Sequence, residues 1–147
     1  MNAELTRQLK GDEDIRPQVY LDSLGYSTIG IGRLVDSKKP GCGLRMNEME
    51  FMLSNDIDDR TAELTKKLPW LYLLDKVRQG ALLNMAFQIG VEGLLGFRTT
   101  LELVRKGEHK AAAENMLLSK WAQQTPNRAK RISKQMETGV WQYSEGT

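Results

Sequence analysis

Every strand-patterned segment of this chain lies before residue 36, and helical patterning fills almost everything after residue 46. That segregation is the strongest constraint on the fold. Strands gathered at one end and followed by helices give an α+β architecture, whereas a parallel sheet would need the two to alternate. Residues 19–21, 26–29 and 31–35 read as three short strands. Turns at Ser23-Leu24-Gly25 and near Gly30 separate them, and Pro17 keeps the start of the first from being helical. Lys38-Lys39-Pro40-Gly41-Cys42-Gly43 reads as a loop.

The helical part begins before the strands with a short amphipathic segment over 2–10, where Leu5 and Leu9 share a face and Gly11 ends it. A long pattern over 47–67 follows the loop, with Asn47 and Glu50 as a capping box and Met49, Met52, Leu53, Ile57 and Leu64 as its apolar face. At 1.5 Å per residue it is about 30 Å long, enough to join two lobes. Pro69 stops it. A second helix over 75–89 offers Val77, Ala81, Met85 and Phe87 to a core, until Gly90, Gly93 and Gly96 break the pattern. Shorter helices near 98–106 and 109–118 flank Gly107. Thr125 caps a last helix that has Pro126 in its first turn and ends near Gly139. The expected organisation is one domain over 1–147. It has a β-rich lobe at 12–46, a connecting helix at 47–67 and a helical lobe at 68–147 on which helix 2–10 packs, with a cleft between the lobes.

Composition removes several chemistries. Cys42 is the only cysteine and His109 the only histidine, so neither an internal disulfide, a Cys/His metal centre nor a Ser-His-Asp hydrolase fits. No metal or cofactor is expected. The start, MNAELTRQLKGDEDIR, lacks an apolar run and is not expected to be a signal peptide, and the apolar stretch 80–97 is interrupted by Asn84, Gln88 and Glu92. The chain is therefore expected to be made in a cytoplasm without a membrane anchor, and as a monomer. Net charge is +2, but residues 98–138 hold nine Lys/Arg against four Asp/Glu. Such a surface attracts polyanions or is a solvated helix face.

Within residues 13–28 lie Glu13, Asp22 and Thr28. Alone, each has a plain role as a surface charge, a turn residue and a strand residue. Together they are two carboxyl groups and a hydroxyl around a glycine-punctuated strand pair, and cleavage of a glycosidic bond needs two carboxyl groups, one of them to protonate the leaving oxygen. Glu13 is the candidate acid, which must carry a proton when substrate binds. Asp12 and Asp14 favour that state, and Arg16 or Arg128, if paired with Glu13, oppose it. Asp22, ionised, would orient water or stabilise a cationic transition state.

The run Glu13-x-x-Arg16, Tyr20-x-Asp22, Gly25-Tyr26-x-Thr28-Ile29-Gly30-Ile31-Gly32 resembles the catalytic signature of the phage-type lysozymes, the family of the T-even phage lysozymes (glycoside hydrolase family 24). Asn84-Met85-Ala86-Phe87-Gln88-Ile89-Gly90 and Trp121-x-x-Gln124-Thr125-Pro126-Asn127-Arg128-Ala129-Lys130-Arg131 match the same family, so the resemblance spans most of the chain. It implies a lysozyme-like α+β fold and hydrolysis of the β-1,4 bond between N-acetylmuramic acid and N-acetylglucosamine in bacterial peptidoglycan. It implies Glu13, Asp22 and Thr28 as catalytic residues and an inverting reaction in which Thr28 helps hold the water. Leu34, Phe87, Thr100 and Asn115 are implied as substrate contacts, with Arg128, Gly30 and Tyr26 in support and Arg128 contacting Glu13. Trp121 and Trp141 read as core. The implied biology is that of an endolysin, released from the host cytoplasm by a holin-type membrane-permeabilising protein.

The chain departs from the family in three places. Thr100 replaces a serine and keeps a hydroxyl. The loop around Pro40 is shorter than in the T-even enzymes. Arg33 stands where close relatives carry a histidine that bridges to an aspartate of the long helix, so an Arg33–Asp56 pair that does not titrate near neutral pH is expected. Two other readings compete. A lytic transglycosylase cuts the same bond with one Glu and no water, but Asp22 and Thr28 favour hydrolysis. A nucleic-acid-binding module would rest on Arg128, Lys130, Arg131 and Lys134 and leave the acidic group unexplained, so no nucleic-acid partner is expected.

Overall fold

The computed structural model describes residues 3–13, 15–39 and 42–144. The expected loop at Pro40 and the charge at Asp14 fall outside the described residues. The chain divides into two compact units, Met1–Met52 and Leu53–Thr147.

The first unit holds helix α1 (Ala3–Asp12) and a three-stranded antiparallel sheet of β1 (Ile15–Leu21), β2 (Ser27–Ile31) and β3 (Arg33–Leu34), ordered β1-β2-β3. Gly11 does not end α1. The helical ladder runs on, with the Glu13 amide donating to the Leu9 carbonyl at 2.8 Å. Strand β1 starts four residues earlier than the patterning implied and carries Pro17 inside it. Ile15 faces Ile31 and Arg16 faces Gly30, but the register has shifted by the time Tyr20 faces Thr28. Proline cannot donate to a ladder, so it is tolerated here on an edge strand and at a bulge. The break between the second and third strands falls at Gly32, not Gly30. Strand β2 continues to Ile31 because its other edge pairs with β1 there.

Helix α2 (Met46–Lys67) starts one residue before the expected position, and its cap differs. Glu48, three residues after Arg45, reaches back to the Arg45 amide at 2.8 Å, so the reciprocal half of a capping box is made by Glu48 and not by Glu50. Of the expected apolar face only Leu64 is buried; Met49, Met52, Leu53 and Ile57 are each 43–50% exposed.

The buried apolar core lies in the second unit. It gathers Leu64, Leu71, Leu82, Met85, Leu94, Met116 and Met136, all at most 1% exposed, from α2, a 3-10 turn (Leu71–Leu73), α3 (Lys76–Leu95), α5 (His109–Met116) and α7 (Pro126–Thr138). Asp75 caps α3 by accepting from the Arg78 amide at 3.0 Å. Gly90 kinks α3 at φ 80°, where the expected helix stopped, but the helix resumes to Leu95. Helix α4 (Arg98–Arg105) supplies Leu101 and Val104 to the core. Helix α6 (Lys120–Gln124), capped by Ser119, has no counterpart in the sequence reading, since five residues are too few to show a period. Thr125 precedes Pro126 as expected, yet its hydroxyl donates to the Trp121 carbonyl at 3.1 Å and does not cap α7. The other end of α7 is held by Arg78, whose Nε and Nη2 donate to the Met136 and Glu137 carbonyls at 2.7 and 2.9 Å. Among the described residues no single helix is long and apolar enough to cross a membrane.

Two positions on α2 test this burial. Leu64→Ala should lower the unfolding free energy by about 2–5 kcal/mol in chemical denaturation. Met49→Ala should cost less than about 1 kcal/mol. Equal losses would mean that the helix buries the face the sequence implied.

Candidate active site

Glu13, Asp22 and Thr28 all belong to the first unit. Glu13 directly follows α1 and precedes β1. Asp22 closes the β1–β2 turn, where its amide donates to the Tyr26 carbonyl at 2.8 Å. Its Oδ1 accepts from the Leu24 and Tyr26 amides at 2.9 and 2.8 Å, which pins the carboxylate. The turn role expected of an aspartate at this position is therefore real. Thr28 sits in the middle strand and is 3% exposed, the most buried polar residue described in this unit. Its hydroxyl donates to the Tyr26 carbonyl at 3.0 Å, so Oγ1 keeps its lone pairs for an incoming donor.

Strand register puts further residues around Thr28. Tyr20 faces it from β1 and Leu34 faces it from β3. Gly30, two residues on from Thr28 in the same strand, faces Arg16, and Tyr26 lies just before the strand. Arg16 lies over the Tyr20 ring at 4.7 Å and Lys39 over the Tyr26 ring at 4.0 Å, bringing cations to both tyrosines. Glu13 approaches the turn between β2 and β3 at Gly32, where a Cβ would fall 2.9 Å from its Cδ and Oε2.

Arg33 does not take Asp56 as its partner. Its Nη1 and Nη2 donate to Glu48 Oε2 and Oε1 at 2.9 and 2.6 Å, a bidentate fork, and Nη1 also donates to the Gly43 carbonyl at 3.0 Å. Glu48 lies in the first turn of α2, next in sequence to the loop that leaves β3, while Asp56 lies more than two turns further along the helix. The Arg33 hydrogen bonds first, and the Arg45 amide after them, hold the Glu48 carboxyl down to about 2.

The remaining sites lie in the second unit, apart from Leu34. Phe87 is 46% exposed, so it is not core. It lines an apolar cavity of about 500 Å³ with Leu53, Ile57, Leu83, Asn84, Arg128 and Trp141. Trp141 is 46% exposed with its ring over Gly80, which corrects the core assignment for it. Trp121 is core, at 5% exposure, edge-on to Phe97 with ring centroids 6.0 Å apart. Arg128 donates through Nε and Nη2 to the Asn84 side chain and carbonyl at 2.9 and 3.2 Å. The Trp121 indole donates to Gln88 Oε1 at 2.8 Å. The two distant motifs are thus hydrogen-bonded to each other, a role that their sequence did not reveal. Thr100 and Asn115 form a third group. The Thr100 hydroxyl donates to Asn115 Oδ1 at 2.7 Å, and both line a separate cavity of about 530 Å³ with Phe97, Lys120 and Trp121.

A three-stranded antiparallel sheet with two carboxylates and a buried threonine, set in an otherwise helical chain, is the α+β arrangement of a lysozyme-like protein. The model of the family described as phage lysozyme matches residues 10–137, and the chain belongs to that family. It is 32% identical to probable T4-type lysozyme 1 of Dictyostelium discoideum, over 95% of this chain and 97% of that protein. It is 31% identical to the pre-baseplate central spike protein Gp5 of Enterobacteria phage T4, over 94% of this chain but only 28% of the other. Peptidoglycan hydrolase gp36 of Pseudomonas phage phiKMV is 27% identical over 96% of this chain and 17% of its own length.

The Arg33–Glu48 fork makes a pH prediction. The folded carboxyl sits below its unfolded value of about 4.3, so the stability it contributes is complete above that value and is lost as pH falls toward about 2. Glu48→Gln should melt below wild type at pH 7, and the gap should close between about pH 4 and 2. A gap that is unchanged down to pH 2 would contradict the fork.

Proposed function

We propose that the chain is a muramidase that hydrolyses the β-1,4 bond between N-acetylmuramic acid and N-acetylglucosamine in bacterial peptidoglycan. Membership of the phage lysozyme family supports the hydrolase class, and the name of the phiKMV relative supports peptidoglycan as substrate. The observation that carries the reading is local. Glu13, Asp22 and Thr28 occupy one small unit in which the turn amides pin Asp22 and the Tyr26 carbonyl orients the Thr28 hydroxyl.

In this mechanism Glu13 donates its proton to the leaving glycosidic oxygen. Water donates hydrogen bonds to Asp22 and to the free lone pairs of Thr28 Oγ1, and its own lone pair attacks the anomeric carbon on the opposite face from the leaving group, inverting it. As that bond forms, the water proton passes to Asp22 while the sugar–oxygen bond breaks with Glu13's proton on the leaving group. Leu34, beside Thr28, would contact the sugar, with Tyr26 and Gly30 in support. Phe87 would offer an aromatic face. Asn115, its carbonyl fixed by Thr100, would offer its amide protons to substrate. Arg128, held by Asn84, keeps the supporting role that the family resemblance implies. No metal or cofactor enters the scheme. The same reading makes the protein a monomeric endolysin, made in the host cytoplasm and reaching the wall after a holin-type protein opens the membrane.

Glu13→Gln and Asp22→Asn should each clear permeabilised Gram-negative cells at no more than about a few per cent of the wild-type rate, since each removes a group acting in the transition state. Circular dichroism should show both variants folded. A folded variant with near wild-type clearing would remove that residue from the mechanism. Thr28→Ala should retain more activity than Asp22→Asn, because it removes only one contact to the water.

A further inference from the structure

We infer that Gly32 is a positioning residue for Glu13, its missing side chain leaving the space in which the Glu13 carboxyl stands. This rests on the assignment of Glu13 as the general acid. The antiparallel register brings the two together: Ile15 faces Ile31, so the chain just before β1 comes level with the turn just after β2. From the α1 side, the Glu13 backbone is fixed by its amide bond to the Leu9 carbonyl at 2.8 Å. From the sheet side, Gly32 offers only its Cα. A Cβ there would fall 2.9 Å from both Cδ and Oε2 of Glu13 and 3.2 Å from its Cγ. Contacts under 3.0 Å are not sustained, so any side chain at this position displaces the carboxyl.

The backbone makes a separate demand for glycine here. Gly32 has φ +70°, which favours glycine anywhere, but Gly43, in the same unit at φ +89°, has nothing within 4 Å of the place a Cβ would take. The two glycines share the conformational demand, and only Gly32 abuts the candidate acid. A carboxyl that must reach a leaving oxygen within hydrogen-bond distance tolerates little displacement, and a shift of about 1 Å can cost about 100-fold in rate.

The test compares Gly32→Ala with Gly43→Ala, which carries the strain without the contact. Carboxyl-labelled glutamate gives a Glu13 Cδ resonance, assigned by its loss in Glu13→Gln, and rates are measured on soluble uncross-linked peptidoglycan strands. In Gly32→Ala the Glu13 resonance should move and kcat should fall about 10- to 100-fold with KM within about twofold, while Gly43→Ala leaves the resonance in place and kcat within about twofold of wild type. An unmoved resonance, or an equal loss of kcat in Gly43→Ala at matched stability, overturns the positioning role. If Glu13→Gln itself keeps the wild-type rate, the acid assignment fails and the positioning role fails with it. An unmoved resonance beside an inactive Glu13→Gln overturns the Gly32 contact alone.

Discussion

The register that sets Ile15 against Ile31 and Tyr20 against Thr28 is the constraint on which the candidate site depends. Sequence separation alone says little about where Glu13, Asp22 and Thr28 lie on the sheet. Antiparallel pairing does: it brings the end of β2 level with the start of β1, where Gly32 lies against Glu13, puts the β1–β2 turn at Asp22 at the other end of the pair, and leaves Thr28 in the central strand. A slip of one residue would turn Thr28 to the other face of the sheet. The bulge around Pro17 absorbs the difference between the two ends of the pairing. Because the unit has little buried apolar surface of its own, polar interactions carry much of its definition: the Asp22 turn, the Thr28–Tyr26 bond and the Arg33–Glu48 fork that ties β3 to the first turn of α2.

The second unit is organised differently. Its helices share one apolar core, and the family motifs in it serve that core as much as any chemistry. Trp121 fills core volume while its indole finds Gln88, satisfying the one polar atom that burial would otherwise leave costly. Arg128 spends two of its donors on Asn84. Gln135, 2% exposed, bonds the Val77 carbonyl at 2.8 Å. These bonds link α3 to α6 and α7, helices far apart in sequence.

Much of the fold was legible because it rests on local signals. The strands, the Asp22 turn, the Gly107 break and the Pro126 start of α7 each follow from residue chemistry at or near the position. What was not legible depended on tertiary placement. Glu48 and Glu50 could each close a capping box, and a two-residue difference in the cap position, Arg45 against Asn47, decides between them. The partner of Arg33 is whichever carboxylate the fold delivers. Phe87 and Ala86 are neighbours on one helix; periodicity offered Phe87 to the core and passed over Ala86, yet Phe87 is half-exposed and Ala86 fully buried. Apolar residues along α2 looked like a core stripe, yet burial is confined to its last turns. The three candidate catalytic residues were found through their combined pattern, since each taken singly has an ordinary structural role that the structure also displays.

The most direct test of the account is digestion of purified peptidoglycan in ¹⁸O-labelled water, followed by mass analysis of the glycan ends. Hydrolysis predicts muramic acid ends that each gain one labelled water, with the α-anomer appearing first in the NMR spectrum of the products. Anhydro-muramic ends without label would mean transglycosylation and would remove the water, and with it the proposed roles of Asp22 and Thr28. Intact glycan in the presence of the folded protein would contradict the enzymatic reading as a whole.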